Sequence, residues 1–223
     1  MRHFLLATVL FAAVLSVRAG SPPVRTVAEL KTLSQESRRE APFELTVKVV
    51  LPYVPDLRTF FVQDDTGSIV LGLNPSVTGH LPRTAGEVLK IRGSFNLPPS
   101  PLSGFDCLHI DLIRKEAPIP PRIVSGKEFF RTTDASAHVQ LRGTIRATAA
   151  DEIDPDYQIL LLTADGETIY CSVYLGGTDP HAFQTFVGQD VEIEGRSGLA
   201  SESGGRSHFG HILCVPYITY IRP

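Results

Sequence analysis

The chain has 223 residues, with 21 basic and 24 acidic side chains and a formal net charge of −3. That balance lacks the positive excess expected of a protein whose affinity rests on neutralising phosphates. Three cysteines without a CxxC or Cys/His spacing argue against a structural zinc site.

In chain order, the first element is a leader. Arg2 and His3 precede an uncharged apolar run from Phe4 to Val17, and Val17-Arg18-Ala19 supplies small residues at the positions a signal peptidase reads. A run of about 14 residues suits a signal peptide and falls short of the roughly 18 that span a bilayer. The expected product of cleavage is an exported, periplasmic or secreted chain. It loses Arg2 and Arg18, which leaves 19 basic residues against 24 acidic ones and a net charge of −5.

The rest of the chain reads as one script written twice. Each copy opens with Pro-Pro, at Pro22-Pro23 and Pro120-Pro121. A short helical segment follows, at residues 28–40 and 125–135. Val27, Leu30 and Leu33 give the first helix one apolar stripe. An alternating strand comes next: Phe43, Leu45, Val47 and Val49 in one copy, Val139, Leu141 and Gly143 in the other. Period-two alternation places one face on a core and the other toward water, and Gly143 marks a bend or bulge. The third element is a hairpin. Phe60-Phe61-Val62-Gln63-Asp64-Asp65-Thr66-Gly67-Ser68-Ile69-Val70 corresponds to Ile159-Leu160-Leu161-Leu162-Thr163-Ala164-Asp165-Gly166-Glu167-Thr168-Ile169, with Asp and Gly supplying the tight turn. Gly86 to Gly93 and Gly188 to Gly195 then bracket a fourth strand, and residues 107–113 and 209–221 supply a fifth.

Five short strands cannot form a stable open sheet of this size, and closing them into a barrel removes the edges. The expected fold is all-β: two tandem five-stranded OB-type barrels, each preceded by a short helix. The expected boundaries are 1–19 for the signal peptide, 20–117 for the first barrel and 118–223 for the second. The linkers at 74–84 and 176–186 fall where OB folds carry a helix or cap, and the loops at 97–104 and 197–207 fall between the last two strands. The two barrels are expected to pack through their helices and Pro-Pro leaders.

The Phe-Val-Gln-Asp-Asp-Thr-Gly run at 61–67 and the tail Leu213-Cys214-Val215-Pro216-Tyr217 resemble the tandem OB-like region of bacterial exported proteins. That region is often found ahead of the membrane segment in sensor histidine kinases and diguanylate cyclases. The second copy, with Thr163-Ala164-Asp165-Gly166, matches it more weakly. The resemblance implies a ligand-sensing or interaction role and transfers no catalytic residue.

Candidate chemistry is sparse. Asp64 and Asp65 point to opposite faces of a strand and read as turn caps. Asp106, Cys107 and His109, like Arg206, His208 and His211, lack the third and fourth ligands a metal requires. The acidic run Asp151-Glu152-Ile153-Asp154-Pro155-Asp156 lacks the spacing and glycine of a calcium loop. Cys171 and Cys214 could pair only if their strands are neighbours. No nucleophile elbow or Ser/His/Asp spacing occurs, so neither enzyme activity nor a cofactor is expected. The main reading is a non-catalytic exported module for ligand sensing or protein interaction, binding a small ligand, glycan or envelope protein. Its possible ligand face is Tyr53, Arg58, Phe60, Arg206 and His208. The alternative is a single-stranded nucleic-acid-binding OB protein. Acidic charge and export weigh against nucleic acid, and of Phe60 and Phe61 only one can be exposed for base stacking.

Overall fold

The structure, a computed structural model, describes residues 22–33, 42–100, 103–132, 136–152, 154–199 and 211–223. The leader, Arg206 and His208 lie outside the described residues. No helix among those described is long and apolar enough to cross a membrane.

The molecule is mostly β, with a closed five-stranded barrel followed by a second sheet. The first unit begins with α1 (Val27–Thr32). Thr26 starts it because its hydroxyl accepts the Glu29 N–H at 3.2 Å, while the Glu29 carboxylate accepts the Thr26 N–H at 3.2 Å. The helix ends at Thr32, and residues 34–40 of the expected helical segment lie outside the described residues. Val27 and Leu30 are fully buried. Strands β1 (Phe43–Val54), β2 (Thr59–Asp64), β3 (Gly67–Gly79), β4 (Glu87–Ser100) and β5 (Ser103–Lys115) follow. They close in the order β1-β2-β3-β5-β4, with β4 back on β1 and only β3–β5 parallel. Phe43, Leu45, Val47 and Val49 point inward as their alternation requires, meeting Phe60, Leu71, Leu89, Ile91 and Cys107.

In the second unit, β6 (Arg122–Ile123) leads into α2 (Gly126–Arg131). Ser125 and Glu128 repeat the same reciprocal cap. Then come β7 (His138–Ala150), β8 (Tyr157–Ala164), β9 (Glu167–Tyr174), a 3₁₀ helix (Pro180–Phe186), β10 (Asp190–Leu199), β11 (His211–Val215) and β12 (Ile221–Arg222). The sheet order is β12-β10-β11-β9-β8-β7-β6, and β10 also pairs with β7 from Asp190↔Thr144 to Arg196↔His138. As in the first unit, strands three and five of the copy, β9 and β11, run parallel. The bulge expected at Gly143 lies slightly later, between Ile145 and Ala147. Gly143 is instead a close approach, because a Cβ there would sit 2.3 Å from the Thr163 carbonyl oxygen.

The hairpins explain how each helix docks. Asp64 accepts the backbone N–H of Thr66 at 2.8 Å and of Gly67 at 3.0 Å, and its other oxygen accepts the N–H of Val27 at 2.8 Å. Asp165 accepts the N–H of Gly126 at 3.0 Å. In each copy a hairpin carboxylate therefore pins the first residue of the helix. The turn-cap reading of Asp64 holds, with this second role added.

The units meet on a surface the sequence did not indicate. The helices bury their apolar residues in their own units, so the expected packing through helices and leaders is corrected. Phe61, Val50, Leu51 and Val70 of the first unit instead pack with Ile119 and Tyr220. Val54 and Leu57 pack with Tyr157, Tyr174 and Tyr217. Phe61 meets the His138 ring edge-on at 6.4 Å, and the Ser68 hydroxyl donates to the Ser136 carbonyl at 2.5 Å.

Candidate functional site

An OB barrel usually presents ligands with its second and third strands and the loops beside them. Here Phe61 and Val70 are paired across β2 and β3, and both face the second unit. The usual face of the first unit is therefore covered. Phe60 is 2% exposed and lies in the barrel core, so it cannot stack a base. Phe61 is also 2% exposed, so neither ring is free, where the sequence allowed one at most. Tyr53 is half-buried against the core, and its hydroxyl donates to the Pro55 carbonyl at 3.3 Å. Arg58 is exposed, holds a left-handed backbone (φ 51°) and donates to the Leu73 carbonyl at 3.3 Å. These residues do not converge on one exposed face.

The remaining sequence candidates are structural. Asp151 accepts the Asp154 N–H at 3.2 Å, and Asp154 accepts the Asp156 N–H at 3.3 Å, so the acidic run caps its own turn. His109 lies between Thr78, at 2.7 Å, and Asp111, at 2.9 Å. His211 contacts the rings of Phe129 and Phe130 edge-on. No group of three or more metal-ligating side chains converges among the described residues. Strands β9 and β11 are neighbours, yet the register sets Cys171 opposite Leu213 and Cys214 opposite Ser172. Cys171 therefore faces the core, where burial pushes its thiol up, while Cys214 faces the other way. Their free state follows from that geometry.

Two features missed from sequence stand out. The first is a basic face on the outside of β1, β4 and β5. The register places Glu44 opposite Arg92 and Thr46 opposite Lys90, then Arg92 opposite His109 and Lys90 opposite Asp111. Glu44 is shared by Arg25, by Lys90 at 3.2 Å and by Arg92 at 3.5 Å. Asp111 pairs with Arg92 at 3.3 Å, and Glu116 with Lys48 at 2.5 Å and Arg114 at 2.7 Å. Lys115 reaches the buried Glu87 at 3.7 Å. Five cations thus share three surface carboxylates, a sixth, Lys115, reaches the buried Glu87, and Asp65 borders the hairpin end. The Lys90 and Arg25 contacts hold the Glu44 carboxyl below its usual range. Exposed Leu108, Leu112 and Ile113 lie along β5 beside the face.

The matching seam of the second unit, β7 against β10, has the opposite sign. Glu192 takes Gln140 at 2.7 Å and Arg142 at 2.6 Å; Glu194 takes His138 at 2.9 Å and Arg222 at 3.1 Å. Asp190 accepts the Thr144 hydroxyl at 2.5 Å.

The second feature is a cleft of about 80 Å³ between the units. Its walls are mainly apolar and aromatic, with Leu51, Val54, Phe61, Tyr157 and Tyr174 among them, and Thr59, Ser172, Arg196 and Cys214 add polar groups. Burial, and then the Asp56 carboxylate, push the Tyr174 phenol up to about 12.

No family model matches the chain, and no curated protein does. Among solved structures, several resemble it weakly. A murine DNA-binding protein bound to double-stranded DNA is 11% identical, with a TM-score of 0.39 over 79% of this chain and 92% of its own. The Ifi202 HINa domain in complex with 20-base-pair double-stranded DNA is 8% identical, with a TM-score of 0.39 over 82% and 96%. The p204 HINb domain is 11% identical, with a TM-score of 0.32 over 82% and 96%. This set corrects the expectation of an exported sensing module with nucleic acid set aside. The structures are a DNA-binding protein and HIN domains, two of the three holding duplex DNA. Likeness at these scores carries no ligand across, so what this chain offers a nucleic acid is read from its own faces.

Proposed function

We propose that this chain is a non-catalytic nucleic-acid-binding protein, built of two OB-type barrels in tandem, that grips a phosphate backbone on the outer face of β1, β4 and β5. The β7–β10 pairing supports reading the second sheet as a barrel, because it joins the two ends of the order β7-β8-β9-β11-β10. The basic face is the observation that carries the proposal. A chain of net charge −3 concentrates Arg25, Lys48, Lys90, Arg92, Arg114 and Lys115 on one side of one unit. Overall charge is therefore a poor guide, since phosphates respond to the local field.

The face also indicates the form of nucleic acid. Single strands are held largely by stacking bases on aromatic rings, and Phe60 and Phe61 are buried. A flat basic strand surface suits the regular backbone of a duplex, where phosphate contacts position the protein without reading sequence. Export through the leader is a separate proposal, and neither depends on the other.

The test is fluorescence anisotropy with labelled duplex and single-stranded oligonucleotides across a salt series. Engaging four of the cations gives a slope of log K against log salt of about −3.6. Duplex is expected to bind more tightly than single strand, with little dependence on sequence. Absence of binding at low salt, or a slope near zero, overturns the proposal.

A further inference from the structure

We propose that the cleft between the two units is a binding site for a small carboxylate with an apolar body and a second hydrogen-bonding group at its far end. The site rests on a row of side chains set by strand register. Ser172 on β9 lies opposite Cys214 on β11, and Cys214 lies opposite Arg196 on β10. The three occupy one level across three adjacent strands, spaced about 4.8 Å apart, and all line the cleft. They lie on the outward side of the sheet, because Cys171, Val173, Leu213 and Val215 take the core side.

Two of the three have unmet chemistry. Ser172 is 2% exposed, and its hydroxyl oxygen has no hydrogen-bond partner. A buried hydroxyl left in that state costs stability, so a native one calls for an explanation. Arg196 is half-buried and has neither an ion pair nor a hydrogen bond among the described residues, whereas the β10 carboxylates nearby, Glu192 and Glu194, are both paired. Its guanidinium lies over Gly198, where a Cβ would come within 3.6 Å of Nη1. A half-buried cation two strands from an unmatched hydroxyl, under apolar walls, is an arrangement that recognises an apolar body with an anion at one end and a hydrogen-bonding group at the other.

The rest of the cleft fixes the ligand's size and direction. Leu51, Val54, Phe61, Tyr157 and Tyr174 supply the apolar wall. A volume of about 80 Å³ is well under that of a drug-sized pocket, so the occupant is small. Asp56 and Asp156 both act on Tyr174, two residues beyond Ser172, so negative charge is unwelcome at that end. The carboxylate is placed at Arg196, and the far polar group at Ser172.

The probe is 4-hydroxybenzoate, titrated into the intact chain and followed by calorimetry and by thermal unfolding. Benzoate lacks the far hydroxyl and 4-hydroxybenzyl alcohol lacks the carboxylate. Saturable binding is expected, weaker by about tenfold for either control. Arg196→Gln is expected to lose the preference for the carboxylate. Ser172→Ala is expected to abolish the preference over benzoate while leaving the unliganded melting temperature unchanged or higher, because it removes an unmatched buried group. Equal binding of the alcohol and the acid, unaltered binding in Arg196→Gln, or no saturable binding overturns the proposal. None of these readouts involves nucleic acid, so failure here leaves the basic face untouched.

Discussion

In the first unit, the seam between strands one and four puts a carboxylate, Glu44, on β1 and two cations, Lys90 and Arg92, on β4. In the second the polarity is reversed, with His138, Gln140 and Arg142 on β7 facing Glu192 and Glu194 on β10. What the two copies share lies inside or at the turns: the reciprocal helix cap, the hairpin carboxylate on the helix N–H, the parallel pairing of strands three and five. What they have exchanged lies outside. The core and turns must satisfy backbone groups and fill space, whereas an outward-facing residue must only keep its charges tolerable. Function can therefore diverge on the outer seam while the scaffold stays fixed.

The copies also differ at their capping points. Where the second unit closes with a 3₁₀ helix that drives Phe183 fully into the core, the first extends β3 to Gly79 and packs Val77 and Leu81 there. At the first helical residue the first unit has Val27, wholly buried, and the second has Gly126, whose Cβ would lie 2.2 Å from the Ala164 carbonyl oxygen. Exchanging these demands gives the largest expected effect. Gly126→Ala should cost about 3 kcal/mol, because backbone must move. Val27→Ala should cost about 2 kcal/mol through lost burial. Denaturant midpoints of the intact chain measure both, and a harmless Gly126→Ala would break the equivalence of the helices.

The hairpin carboxylates come next. Asp64 accepts from Val27, Thr66 and Gly67, whereas Asp165 is shown accepting from Gly126. Asp64→Ala is expected to cost about 2 kcal/mol and Asp165→Ala about 1 kcal/mol. Equal costs would mean that helix docking alone matters. The smallest effect is in acid. His138, and then Arg222, hold the Glu194 carboxyl below its usual range against the opposing effect of burial. Its stabilisation is therefore complete above the ordinary carboxylate pKa and fades as pH falls through the lowered one. Glu194→Gln should flatten the acid limb of the stability profile and resist salt. Glu44→Gln should change it less, and the change should vanish in high salt, because Glu44 lies at the surface among exposed cations.

Much of this scaffold was legible in the sequence. The alternation of Phe43 to Val49, the Asp-Gly hairpins and the Gly-bracketed fourth strand are local signals, and each names one element. Local patterns do not say which outward face a second unit will cover. From alternation at most one of Phe60 and Phe61 could be exposed, and only the packing of the units shows both buried. The basic face was hidden because its members come from strands some 40 residues apart and align only through the β1–β4 and β4–β5 registers. The Ser172, Cys214 and Arg196 row needed the parallel β9–β11 pairing, which no hairpin signal announces.

The most direct measurement compares the two seams on one duplex. Wild type, Lys90→Gln/Arg92→Gln and Arg142→Gln are titrated by anisotropy at several salt concentrations. The double variant should bind about tenfold more weakly and lower the salt slope by about 2, while Arg142→Gln should match wild type. Equal losses from both seams, or undiminished binding by the double variant, would contradict a phosphate grip on the outer face of β1, β4 and β5.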